Sequence, residues 1–274
     1  MKALRVVGPS ESGRTALVER LVERLSERGR VGTVAHLDSQ EDIDLVRNGN
    51  KPTAGAARTY SIGDDGEWVG TGDERTLTDV LDRLAIDCDY AVVDGAGNST
   101  LPTVALGETD ADDVIAAAQT AEDVDIDAVV DALTDRDPYE TLESLVAQVK
   151  RSPRTDRSGA IATFTGRVRP KEEPDDDPTE YLEFERYDDV AAEKMRAIRD
   201  ELTDRDGVYE VLLHHKTGVV DAGEDIVFVV VLAGHRQEAF ETVEDGINRL
   251  KDEVPLFKKE VTVSDEFWAH QHET

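Results

Sequence analysis

Apolar residues along this chain recur with two different periods, and the switches between them mark out the elements. Between residues 236 and 254, Phe240, Val243, Ile247, Leu250 and Val254 fall at spacings of three and four. That is one face of a helix, and Pro255 stops it. Upstream, the continuous apolar run DIVFVVVLA (225–233) reads as a buried strand. His235 and Arg236 therefore open the helix, where free backbone N–H groups and the helix dipole favour an anion. Beyond the proline, residues 256–263 alternate as a strand does, with Lys258 and Glu260 on one face and Phe257, Lys259 and Val261 on the other. Lys251 flanks the helical stripe, so the expectation is an anion pocket with lysines beside it.

The rest of the second half alternates in the same way. AIATFTGRV (160–168), YLEFERY (181–187) and VYEVLLHH (208–215) read as strands, and 190–202 as a helix. The order β-β-α-β-β-α-β predicts an α+β domain with helices on a mostly antiparallel sheet. PKEEPDDDP (170–178) is an extended charged loop. His214 and His215 are adjacent on a strand and point to opposite faces, so they do not share a metal ion, and a core or hydrogen-bonding role is expected of both.

In the first half, the strand KALRVV (2–7) runs into GPSESGRT and then into a helix carrying Leu17, Leu21 and Leu25 on one side. Strand, glycine loop, helix is the setting of a phosphate-binding loop. Gly8 and Gly13 have its GxxxxGKS/T spacing, and Thr15 stands where a hydroxyl meets Mg²⁺. Arg14 replaces the lysine, which favours phosphate binding over hydrolysis. VGTVAHL (31–37) and YAVV (90–93) read as further strands of a mostly parallel α/β sheet. Asp94, at the end of the latter, has two readings, a partner of Mg²⁺-bound water or a structural turn former. Residues 107–150 read as acidic and helical. The polar stretch KRSPRTDRSG (150–159) places the domain boundary at 150/151.

Composition changes the picture in three ways. With 61 acidic and 31 basic residues in 274, the net charge of −30 excludes nucleic acid and anionic membrane as general partners. It also makes the clustering of Lys251, Lys258 and Lys259 informative, since the chain has only nine lysines. Abundant acid on a well-patterned sequence suggests a salt-rich cytoplasm, where carboxylate repulsion is screened within about 3 Å at about 1 M salt. Cys88 is the sole cysteine, so no internal disulfide or thiolate metal cluster is expected. No run approaches the ~20 apolar residues of a membrane span, and the N-terminus lacks a signal-peptide pattern.

Two resemblances then enter. On VVGPSESGRTALVERLV, VGTVAH and AGAARTYSIG (54–63), residues 1–150 resemble molybdopterin-guanine dinucleotide biosynthesis protein B, a P-loop, GTP-binding accessory family. That resemblance implies a P-loop NTPase-like α/β fold with GTP and Mg²⁺ at Gly8, Gly13, Arg14, Thr15 and Asp94. On GAIATFTGRVR, YLEFERYDDVAAEKM, HHKTGVVDAGEDIVFVVV, GHRQEAFE and RLKDEVPLFKKE followed by Trp268, residues 158–268 of the domain 151–274 resemble the large, catalytic subunit of molybdopterin synthase. This implies a sulfurtransferase that converts cyclic pyranopterin monophosphate to molybdopterin. The sulfur donor would be the C-terminal thiocarboxylate of a small ubiquitin-like subunit, in a homodimer within a heterotetramer. The resemblance implies Lys251 and Lys258 as catalytic, with Phe164, Arg167, Arg169, His235, Arg236 and Glu260 around the substrate and no metal or cofactor. Pro170 and Lys171 stand where that family tends to have Asn and His, and His270 and His272 are the only C-terminal counterparts of an arginine that reaches a neighbouring subunit. The alternative is a non-catalytic accessory protein that holds a molybdopterin nucleotide or its precursor.

Overall fold

The computed structural model describes residues 1–37, 57–72, 75–95, 100–263 and 266–269, the side chains of Arg186, Asp188 and 266–269 apart. The chain divides into two compact units, Met1–Tyr139 and Glu140–Thr274. In the first unit the apolar strand β1 (Lys2–Val7) lies at the centre of a five-stranded sheet of order β2-β5-β1-β6-β7, all parallel. The other strands of the sheet are β2 (Val31–Ala35), β5 (Tyr90–Asp94), β6 (Thr103–Leu106) and β7 (Val114–Ala118), of which β5 and β6 flank β1. Helix α1 (Glu11–Ser26) buries Leu17, Leu21 and Leu25 completely against this sheet. Helix α2 (Leu77–Asp87) begins at a capping box in which Thr76 and Asp79 exchange hydrogen bonds. A separate two-stranded ribbon joins β3 (Arg58–Ile62) and β4 (Trp68–Gly72). Helix α3 (Ile126–Thr134) buries Val129, Val130 and Leu133.

Two expectations about this half need correction. Val114–Ala118 is a strand and not part of a helical stretch; VIAAA has the alanines of a helix, but its edge pairing with β6 decides the outcome. The second correction concerns the boundary. Helix α4 (Leu142–Lys150) stands with the second unit, where Leu145 and Val149 share a cluster with Phe228, Val230 and Leu232. The chain therefore divides before that helix and not at 150.

Every strand pairing of the second unit is antiparallel, but the strands make two sheets where one was expected. The first has the order β10-β12-β8, from β8 (Ala160–Arg167), β10 (Val208–His215) and β12 (Asp225–Ala233). The second has the order β11-β9-β13-β14, from β9 (Thr179–Arg186), β11 (Gly218–Asp221), β13 (Leu256–Thr262) and β14 (Glu266–Ala269). Strand β12 is buried along nearly all its length, which its unbroken apolar run requires. Helices α5 (Asp188–Thr203) and α6 (Arg236–Glu253) close the core with Ile198, Leu202, Val243, Ile247 and Leu250. Truncating the fully enclosed Leu250 to Ala would cost about 2–5 kcal/mol. Phe240, expected on the buried stripe, is 66% exposed, and Ala239, Thr242 and Gly246 complete the buried face in its place. Among the described residues no helix is long and apolar enough to cross a membrane.

Candidate active site

Helix α6 ends at Val254, whose extended backbone (φ −87°, ψ 121°) and following proline turn the chain straight into β13. β13 pairs with β9 so that Lys258 lies opposite Phe184 and Glu260 opposite Leu182. Opposed residues of an antiparallel pair share a face. Lys258 and Glu260 therefore look with Phe184 and Leu182 into a cavity of about 550 Å³, while Phe257 faces away and is 45% exposed. The last turn of α6 brings Lys251 to the same cavity, β8 brings Phe164 and Arg167, and the loop after β8 brings Arg169. Six of the side chains expected from the sequence thus line one space.

The charges there are partly committed. Lys258 Nζ lies 3.6 Å from Glu260 Oε2, and Glu260 Oε1 accepts a 2.5 Å hydrogen bond from Thr179 Oγ1. Arg167 Nε is 3.1 Å from Asp225 Oδ1, and Arg167 also donates to the Gly223 carbonyl. Arg169 reaches Glu172 at 2.6 Å, both side chains being largely exposed. Lys251 makes no ion pair with a described residue and is exposed. The lining holds four cationic side chains against the carboxylates Glu172 and Glu260, inside a protein of net charge −30. A site with this excess concentrates an anion against the field of the whole molecule.

Sequence reasoning missed His215, which lines the cavity at the end of β10 and is 5% exposed. Its ring stands edge-on to Phe184 at 4.8 Å, and Nδ1 is 2.6 Å from the Lys216 carbonyl oxygen. A carbonyl only accepts, so Nδ1 carries a proton. Thr179 and Glu172 were missed as well; their only signal was proximity to the prolines of the charged loop. Adjacent His214 instead stacks on Phe228, ring centroids 6.1 Å apart.

His235 and Arg236 do not join this cavity. They sit at the N-cap and first position of α6, whereas Lys251 is in its last turn. Fifteen residues of helix at about 1.5 Å each separate Arg236 from Lys251 by roughly 22 Å. His235 and Arg236 do open the helix, but the expectation placed both ends of a long helix at one site. His270 and His272 lie outside the described residues.

In the first unit, α1 begins at Glu11, so Arg14 and Thr15 lie in its first turns. Gly8 is required by close packing, because a Cβ there would come within 2.8 Å of Leu106 Cβ. Ser10 Oγ accepts from the Gly13 amide at 3.3 Å. Arg14 turns back across the loop: its Nε lies 2.8 Å from Asp94 Oδ1, and Nη1 donates to the Gly8 carbonyl at 2.9 Å. The two side chains are only 16% and 18% exposed. The carboxylate that would hold Mg²⁺-bound water is thus occupied by the cation that would hold phosphate, while Thr15 is exposed. These residues, as they stand, do not fit Mg²⁺ with GTP. Of the two readings of Asp94, the ion pair supports the structural one.

The family profile described as molybdopterin guanine dinucleotide synthesis protein B matches residues 3–132, and that described as MoaE protein matches residues 135–253. The probable molybdopterin synthase of Haloferax volcanii is 51% identical over 267 residues, covering 97% of this chain and 99% of that one. The molybdopterin synthase catalytic subunit of Pyrococcus abyssi is 38% identical over 127 residues, 46% of this chain and 82% of that one. Its counterpart from Bacillus subtilis is 33% identical over 126 residues, 46% of this chain and 76% of that one. An acidic chain whose second unit gathers lysines and arginines into one cavity, and which matches such a relative from end to end, belongs to the molybdopterin synthase family, with a role in molybdenum cofactor biosynthesis.

Proposed function

We propose that the second unit transfers sulfur to cyclic pyranopterin monophosphate from the thiocarboxylate tail of a small ubiquitin-like subunit. The supporting observation is the meeting of Lys251 and Lys258, from different elements, with Arg167, Arg169 and Phe164 at one cavity. Sulfur of the thiocarboxylate attacks a side-chain carbon of the pterin, forming a C–S bond as that carbon's C–O bond breaks and leaving an acyl-linked intermediate, and a second thiocarboxylate repeats the step at the neighbouring carbon to complete the dithiolene. Water then breaks the acyl–sulfur bond, its oxygen leaving with the carrier as carboxylate. Each departing substrate oxygen, including that of the opened cyclic phosphate, needs a proton or a cation beside it. Lys258, oriented by Glu260, and Lys251, exposed at the helix end, supply these. Arg169 and Arg167 hold the phosphate, and Phe164 lies against the ring or the carrier's tail. The chemistry as written calls on no metal.

His235 and Arg236 are too far along α6 to serve their own chain's cavity. In this reading they serve the cavity of a second copy, in a homodimer that carries two small subunits. The test is direct. The purified chain, mixed in high salt with thiocarboxylated small subunit and the cyclic precursor, is expected to yield the dithiolene. Tight binding of precursor without product would reject the reading in favour of a non-catalytic carrier. For the first unit alone, the Arg14–Asp94 pair favours a non-hydrolysing role.

A further inference from the structure

In the β3–β4 ribbon Arg58 lies opposite Gly72, Tyr60 opposite Gly70 and Ile62 opposite Trp68. Opposed residues share a face. One face therefore carries a guanidinium, two aromatic rings and Ile62, with a glycine across from Arg58 and another across from Tyr60. A Cβ at Gly70 would come within 3.0–3.2 Å of the Tyr60 and Trp68 rings, so the missing side chain lets both rings lie close over the backbone of β4. The rings stand 6.0 Å apart at 54° and are 56% and 65% exposed. Arg75, just before α2, and Arg83 on α2 complete a cleft of about 440 Å³. That volume falls within the ~300–1,000 Å³ of small-molecule sites.

Both kinds of group run against the composition. The chain has two tryptophans and twice as many acids as bases, and Arg24, Arg136, Arg199, Arg205 and Arg249 each hold a carboxylate. The guanidinium groups of Arg58, Arg75 and Arg83 form no ion pair or hydrogen bond with a described residue. Among the described residues, Asp79 is an acid on which Arg75 and Arg58 act. Asp79 is held by hydrogen bonds from Thr76, which lower its carboxyl first, with Arg75 and Arg58 adding smaller effects. Exposed rings beside guanidinium groups that pair with no described residue offer stacking and charge-assisted hydrogen bonds together.

We propose that this cleft binds a small planar heteroaromatic anion, a fused purine- or pterin-type ring carrying one phosphate, with the ring against Trp68 and Tyr60 and the phosphate on Arg58, Arg75 and Arg83. A polyanion would meet the repulsion of the whole molecule, which a single phosphate largely escapes. The site is separate from the glycine loop and does not depend on the sulfur-transfer reading.

The test uses the full chain with Trp268→Phe, which leaves Trp68 as its only tryptophan. Titration with GMP and with neopterin monophosphate is expected to quench Trp68 saturably, the tighter of the two naming the ring. Guanosine should bind at least about tenfold more weakly, and Arg58→Ala or Arg83→Ala should each weaken GMP binding by about tenfold. Gly13→Glu, which places a carboxylate in the glycine loop, should leave the response unchanged. No quenching at millimolar ligand, equal binding by the arginine variants, or loss of the signal in Gly13→Glu would overturn the proposal. So would a Trp68 signal that follows protein concentration and not ligand, which would mark the ribbon as a contact between copies.

Discussion

Lys258 and Glu260 sit two residues apart on β13 with Nζ 3.6 Å from Oε2, and Thr179, across on β9, holds the far oxygen of the same carboxylate at 2.5 Å. The lysine is therefore positioned by a chain of two contacts that begins on the neighbouring strand. Glu260→Ala is expected to lower the rate of dithiolene formation by about tenfold or more, since Lys258 loses its charged partner. Thr179→Val removes one hydrogen bond to that carboxylate but leaves the Lys258–Glu260 contact in place, and should cost less, about fivefold or near 1 kcal/mol. Single-turnover rates check the order; a larger loss for Thr179→Val than for Glu260→Ala would show that the carboxylate does not act through Lys258.

The Arg14–Asp94 pair predicts that the whole chain shows no Mg²⁺-dependent binding of GTP by calorimetry at about 1 mM nucleotide. Arg14→Ala leaves Asp94, 18% exposed, without its cation and should cost about 1–3 kcal/mol of stability. Micromolar Mg²⁺-dependent binding by the unaltered chain would contradict this account of the loop.

Arg249 joins α6 to α5 through Glu201 at 2.8 Å and holds Glu253 at 2.6 Å. The hydrogen bond from Arg249 is the main cause that keeps the Glu253 carboxyl below its ordinary value of 4.5, and Glu253 in turn raises the guanidinium. A depressed carboxylate adds stability above its unfolded pKa and loses it as pH falls through the folded one. Glu253 is 36% exposed, so the contribution is below about 1 kcal/mol. Denaturant titrations should show Glu253→Gln less stable than the unaltered chain at pH 7 and equal to it near pH 3. A gap that persists into acid would rule out this linkage.

The charge of −30 predicts a dependence on salt. The melting temperature should rise by several degrees between about 0.2 M and about 2 M KCl, as repulsion among surface carboxylates is screened. A fall over that range would contradict a salt-adapted surface.

Much of this molecule is legible in its pattern of residues, and the failures have a common cause. The run 225–233 announces a strand buried on both faces, and β12 is one. The spacing of Val243, Ile247 and Leu250 announces α6 and its buried side, and strand alternation pairs Lys258 with Glu260. Periodicity assigns a residue to a face but does not say which distant residue shares it. His215, Thr179 and Glu172 therefore came into view only when β9, β10 and the loop after β8 met. The same blindness to distance set His235 and Arg236 beside lysines that lie a helix length away. β6 and β7 escaped notice because strands of four and five residues, the second largely alanine, carry too little period to separate from helix.

The central claim is that Lys251 and Lys258 act together on one phosphorylated pterin. Its most direct measurement is the single-turnover rate of dithiolene formation in high salt by Lys251→Ala and by Lys258→Ala, each first shown to keep the fold and to bind the small subunit. Both rates are expected to fall by about 100-fold or more, as loss of a positioned proton donor or acceptor implies. A rate within about threefold of the unaltered chain for either variant would contradict it.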